Sequence, residues 1–279
     1  GGWRPGGWRE LGRGAAGGAR PAACLLGRAL CQTTKGRALV FRGDFDGARG
    51  AFGQAMSIFE ALDYPNDVLR NEAWTTYTYI YQGEYRRSRR RARQVLERAR
   101  ELGDKNTEAD AWNQLGEVAR YEREWGEARR YYQRAAREYE QIGYRGVYIA
   151  RMNMAMVEIP AGHYRRARRE FSEVEQTLPE VGLRSRMPHV YAGLLGAAAG
   201  LGDWEAVDEL LPRIEDSYAA NEGVSKDTAW LAEHAARLSW QGGARRRAER
   251  LFRLARDIWA HLGDGERVDE IDRRLGQGG

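Results

Sequence analysis

Residues 108–143 read EADAWNQLGEVARYEREWGEARRYYQRAAREYEQIG. Ala109, Trp112, Leu115, Gly116 and Ala119 recur at spacings of three and four, which draws one apolar stripe along a helix whose N-cap candidate is Thr107. Trp125, Ala128, Tyr132, Ala135, Tyr139 and Ile142 do the same in a second helix. Gly116 and Ala128 have no bulk, so two antiparallel helices can close on each other there while Trp112, Leu115 and Tyr132 fill the seam. A hairpin of this kind leaves a greasy face uncovered, and a stable chain must repeat it.

The chain does repeat it. A turn signature of glycine, an aromatic two residues on and a small residue three further appears at Gly43-Phe45-Ala48 and Gly83-Tyr85-Ser88, then at Gly162-Tyr164-Ala167 and Gly202-Trp204-Val207. Degenerate copies stand at Arg123-Trp125-Ala128 and Gly243-Arg245-Ala248, so the period is about 40 residues. A second landmark closes each hairpin on the same period, at Leu62-Asp63, Leu102-Gly103, Ile142-Gly143, Val181-Gly182 and Leu262-Gly263.

Trp112, Leu115 and Gly116, followed by Ala128, Tyr132 and Ala135, resemble the tetratricopeptide repeat, in its longer-period variant of bacterial signalling proteins. The packing glycine is kept at Gly36, is Ala155 or Ala236 later, and gives way to Thr76 and Leu195. The period exceeds the usual 34, which lengthens the second helix of each pair by over a turn. The resemblance implies an all-α fold, a right-handed α-solenoid of about six hairpins over 21–263, with repeats near 28–63, 69–103, 107–143, 147–182, 187–222 and 226–263. Residues 264–279 are then a tail whose Val268, Ile271 and Leu275 stripe forms a capping helix.

Composition fits one elongated array: 279 residues, 30% charged, with a longest apolar run from Ala192 to Leu201 that is too short to span a membrane. No signal peptide is visible and no initiating Met is present, which reads as a cytoplasmic fragment of something longer. Residues 1–20 are rich in Gly and Arg without periodicity and are expected to be disordered. The G-x-G-x-x-G spelled there by Gly12, Gly14 and Gly17 has no strand before it and reads as accident. Residues 22–27 read as the frayed end of an earlier repeat, and the first full hairpin pairs 29–42 with 45–62. Cys24 and Cys31, seven apart on one helix face, read as small buried thiols.

Charge is uneven. From Glu84 to Glu101 eight arginines face three glutamates. Arg86, Arg87, Arg89, Arg90 and Arg93, with Arg130 and Arg169 at comparable places in later repeats, would line up as a basic strip on stacked second helices. Repeat five is acidic, with Asp203, Glu205, Asp208, Glu209, Glu215, Asp216 and Glu222 against Arg213 alone, and Pro212 should kink its second helix. Such opposite charge suits a charged partner or a second copy of the chain.

In the family it resembles, first helices line a concave groove. Carried over repeat by repeat, the displayed residues are Trp74, Tyr77, Ile80 and Tyr81, then Asn113, Glu117, Arg120 and Tyr121. Ile149, Met152, Asn153 and Met156 follow, and Glu233, His234, Arg237 and Trp240 close the series. Aromatic and methionine walls suit an apolar or helical protein segment, although Trp74 and Met152 equally suit packing against neighbouring helices. The lysine and asparagine clamp for a carboxylate terminus is absent.

No P-loop, nucleophile elbow or zinc motif occurs, and His163, His189, His234 and His261 are scattered, so no catalytic residue, metal or cofactor is expected. The reading is a non-catalytic scaffold that binds a protein or peptide. One alternative is the regulatory region of a bacterial Ser/Thr kinase or signal-transducing ATPase, with an upstream domain of the same polypeptide as partner. Another is nucleic-acid or acidic-partner binding by the arginine strip.

Overall fold

In the computed structural model, residues 19–276 are described, and they fold into thirteen α-helices with no strand among them. The G-x-G-x-x-G stretch and nearly all of the segment expected to be disordered lie outside the described residues. The chain divides into two compact units, Gly1–Glu122 and Arg123–Gly279.

The first unit holds α1 (Ala19–Phe41), α2 (Phe45–Ala61), α3 (Pro65–Tyr81), α4 (Tyr85–Glu101) and α5 (Lys105–Tyr121). Each helix packs on the next, and the first helices α1, α3 and α5 also touch in succession. The second unit holds α6 (Trp125–Gln141), α7 (Gly146–Glu158), α8 (Tyr164–Glu180), α9 (Met187–Leu201), α10 (Trp204–Ala219), α11 (Lys226–Gln241), α12 (Arg245–His261) and α13 (Gly265–Gly276), with a 3-10 turn at Arg184–Arg186.

Both sequence landmarks are points where the backbone turns left-handed. Gly43, Gly83, Gly162, Gly202 and Gly243 have φ between 71° and 81°, and Gly103, Gly143, Gly182 and Gly263 between 63° and 75°. Glycine enters this region without a Cβ penalty and so ends a helix cheaply. Asp63 and Arg123 take the same conformation at φ 59° and 63° without that freedom.

Helix starts differ from the sequence reading at three places. No break occurs at Gly27, because α1 is one helix from Ala19 onward. Pro65, whose ring pre-sets φ for a first turn, starts α3 four residues before Leu69. Asp104, not Thr107, caps α5: its carboxylate accepts from the Thr107 amide at 3.1 Å and from the Thr107 hydroxyl at 2.8 Å.

Gly36 lies under Phe52, where a Cβ would meet the ring at 2.5 Å, so the packing glycine lets α1 and α2 close on an aromatic. Gly193 and Gly200 of α9 serve Phe171 and Tyr164 in the same way. Leu115 and Tyr132 are buried, but Trp112 is only half-buried, with the Arg100 guanidinium 5.3 Å from its ring. Cys24 and Cys31 are exposed, against expectation, because the face of α1 that carries them is not the one packed on α2.

Much of the uneven charge is spent inside the chain. Arg168 donates to Asp203 at 2.6 Å, Arg247 grips both oxygens of Asp208 at 2.7 and 2.6 Å, and Arg250 pairs with Glu215. Acidic α10 is thereby stapled to the helices before and after it in the outer row, and α10 runs on through Pro212 as one helix.

Candidate functional site: the first-helix face

On α3, Trp74, Tyr77 and Tyr81 fall at i, i+3 and i+7 and therefore share one side of the helix. They form a continuous run of rings. Trp74 and Tyr77 are 5.4 Å apart, Tyr77 and Tyr81 stack at 6.0 Å, Phe41 meets Trp74 edge-on at 6.4 Å, and Phe45 lies 6.4 Å from Tyr81. The Arg37 guanidinium sits 4.6 Å over Trp74. All three α3 rings are half-buried, so each keeps one surface toward solvent.

Polar residues of α5 border this run. Asn113 donates to the Tyr77 hydroxyl at 3.1 Å, and Gln114 donates to the Ala73 carbonyl at 2.7 Å, which fixes α5 against α3. Burial, then the charges of Asp110 and Glu117 together with Tyr81, push the Tyr77 phenol well above its ordinary value, so it stays protonated. Arg120 bonds Glu117 at 2.6 Å and lies 4.5 Å over Tyr121, whose ring stacks on Tyr85.

Seven of the expected groove residues thus come together in the first unit, Trp74, Tyr77, Tyr81, Asn113, Glu117, Arg120 and Tyr121, of which Asn113 and Glu117, at 5% and 7% exposure, contribute little surface. Ile80, only 1% exposed, points the other way into the core. Phe41, Phe45 and Arg37 belong to the same surface and were missed. The signal was present, since Phe41, Tyr81 and Tyr121 stand one period apart at the ends of successive first helices.

The second unit is different. Met152 and Met156 are packed into its core at 6% and 7% exposure and contribute little surface, while Ile149 and Asn153 are half-buried. Small-residue α9 lies between α7 and α11 and packs on both. On α11, Glu233 is buried between Arg237 at 3.4 Å and Arg267 of α13 at 3.5 Å, which ties the terminal helix down. His234 stacks on Trp230 at 5.3 Å, and Arg245 covers Trp240 at 3.6 Å.

The basic strip is only partly open. Arg87 pairs with Glu84 at 3.1 Å and lies 3.9 Å over Tyr79, and Arg89 pairs with Glu122. Arg86, Arg90, Arg93, Arg130 and Arg169 are exposed, with no carboxylate within salt-bridge distance among the described residues. Among the described residues no three His, Cys, Asp or Glu side chains gather as a metal site, and no helix is long and apolar enough to cross a membrane.

No family model matches the chain, and no curated protein matches it. Solved structures do. The apo form of RapI aligns at TM-score 0.65 and 13% identity over 85% of each chain. A Rap protein complexed with Competence and Sporulation Factor aligns at 0.68 and 16%, over 86% of this chain and 65% of that one. A signal transduction ATPase with a tetratricopeptide repeat sensor from Pyrococcus horikoshii aligns at 0.55 and 15%, over 89% of this chain and 39% of that protein. The chain therefore has the all-α, tetratricopeptide-like fold of repeated helix-turn-helix units.

Proposed function

We propose that the chain is a protein-binding repeat scaffold and that the first-helix face of its first unit receives a peptide or an extended protein segment. The run Phe41, Trp74, Tyr77, Tyr81 carries this reading: four rings held in register and half-exposed, with the buried Asn113 fixing Tyr77 from behind. Rings of this kind supply contact area to a bound segment at small entropic cost. The likeness to a Rap protein complexed with Competence and Sporulation Factor supports it, as a likeness of fold.

A displayed peptide library, selected on the wild-type chain and counter-screened on Trp74→Ala with Tyr77→Ala, tests the reading. Enriched peptides should lose at least tenfold in affinity on the double variant. Peptides that bind both proteins equally would move the site elsewhere.

The likeness to an ATPase with a repeat sensor favours a second reading, in which this array senses a ligand for a larger signalling protein. A kinase or ATPase motif elsewhere in the parent reading frame would support it, and a parent frame without one would remove it.

A further inference from the structure

The first turns of α4 turn arginines outward and those of α10 turn carboxylates outward, so the two rows are opposite in sign; Glu97 and Glu101 end the α4 row, and Arg213 flanks that of α10. On α4, Arg86, Arg90 and Arg93 fall at i, i+4 and i+7, opposite the buried stripe Ser88, Ala92, Val95 and Ala99. All three are exposed, and no carboxylate pairs with them among the described residues. On α10, Glu205, Glu209 and Asp216 lie opposite the buried Val207, Leu211 and Ile214, equally exposed and equally unanswered. On α12 and α8 neighbouring charges pair along the helix, Arg253 with Glu249 at 3.4 Å and Arg166 with the part-buried Glu170 at 3.3 Å, and the exposed Arg165 and Arg169 of α8 resemble the α4 row.

α10 also shows what such an acidic helix does with arginine. Its flank already holds Arg247 and Arg250 of α12 through Asp208 and Glu215. The outer carboxylates Glu205 and Glu209 repeat the spacing of Arg86 and Arg90, about 6 Å along the axis in both helices.

The geometry points to self-association of this protein, in which the α4 arginine stripe of one copy docks on the α10 carboxylate stripe of a second copy. Exposed ion pairs are individually weak, so complementarity here fixes orientation and encounter rate, and the contact is of low affinity and labile to salt. Screening beyond about 10 Å at 0.1 M salt makes ionic strength the natural control. This contact uses neither the first-helix face nor its ligand, so it stands or falls separately from the proposed function.

Sedimentation velocity over a concentration series tests it on four proteins: wild type, Arg86→Glu with Arg90→Glu, Glu205→Arg with Glu209→Arg, and all four substitutions together. Wild type should gain mass with concentration at 30 mM salt and run as a monomer at 0.5 M. Each double variant should be monomeric at both salts. An equal mixture of the two doubles, and the quadruple variant alone, should associate again at low salt. The substituted residues are exposed, and unchanged circular-dichroism melts would show that folding is intact. A wild type that is monomeric throughout, or association that survives either reversal, overturns the proposal. So does a monomeric wild type that binds a labelled single-stranded DNA through Arg86 and Arg90, since the stripe would then serve a polyanion.

Discussion

Tyr85 stacks on Tyr121 with centroids 5.7 Å apart and planes 8° apart, and Phe45 meets Tyr81 across the same sequence separation at 6.4 Å. The turn aromatic of one hairpin therefore rests on the last aromatic of the next first helix. This contact locks consecutive hairpins together at one edge of the first-helix face. A double-mutant cycle of Tyr85→Ala and Tyr121→Ala should show a coupling of about 0.5–1.5 kcal/mol in urea unfolding. Additive losses would mean that the stack contributes no more than its separate burial.

Glycines in helices divide by what lies over them. Gly193→Ala would drive a Cβ to within 2.2 Å of the fully buried Phe171 ring and should cost about 1–3 kcal/mol. Gly53→Ala, on α2 with open space around it, should stabilise by about 0.5–1 kcal/mol. Melting temperatures that shift in the same direction would contradict this division.

Arg129 of α6 is the most enclosed arginine of the second unit's outer row. It reaches Glu158 at 2.5 Å and Glu170 at 2.8 Å. Burial works against its charge, but the hydrogen bonds and charges of the two carboxylates win and hold its pKa above the ordinary value. Arg129→Met leaves the buried Glu158 with only His163 and the more distant Arg166, and should cost about 3 kcal/mol. An unchanged urea midpoint would show that the pair is replaceable.

Stability should fall in mild acid. Burial first and Arg237 second lower His234 from 6.5 to about 4, and burial lowers His189 as well. The unfolded chain takes up its proton as pH drops through 6.5 while the folded chain does not, so the contribution is full above 6.5 and shrinks toward 4. At pH 5 the loss from His234 is about 2 kcal/mol. The His234→Gln variant should show a correspondingly flatter decline between pH 7 and 5, and equal slopes would rule this histidine out.

The fold was legible because its two periodic landmarks are backbone requirements: a left-handed residue must close each helix, and glycine is the residue that does so cheaply. Helix starts were less legible, since Pro65 and Asp104 act through local geometry that apolar periodicity does not reveal. Trp74, Tyr77 and Tyr81 could be read from helical phase. Met152 and Met156 could not be placed on the correct side from helical phase, because the core they join is built from helices far along the chain, out to Ile271. Pairings such as Arg247 with Asp208 join residues 39 apart and follow from stacking alone.

Hydrogen–deuterium exchange of the whole chain, with and without a saturating library-selected peptide, tests the central claim most directly. Protection should concentrate on α3 and α5, around Trp74–Tyr81 and Asn113–Tyr121, persist at 0.5 M salt, and vanish in Trp74→Ala with Tyr77→Ala. Protection confined to α4, or lost in high salt while the aromatic variant still binds, would contradict it.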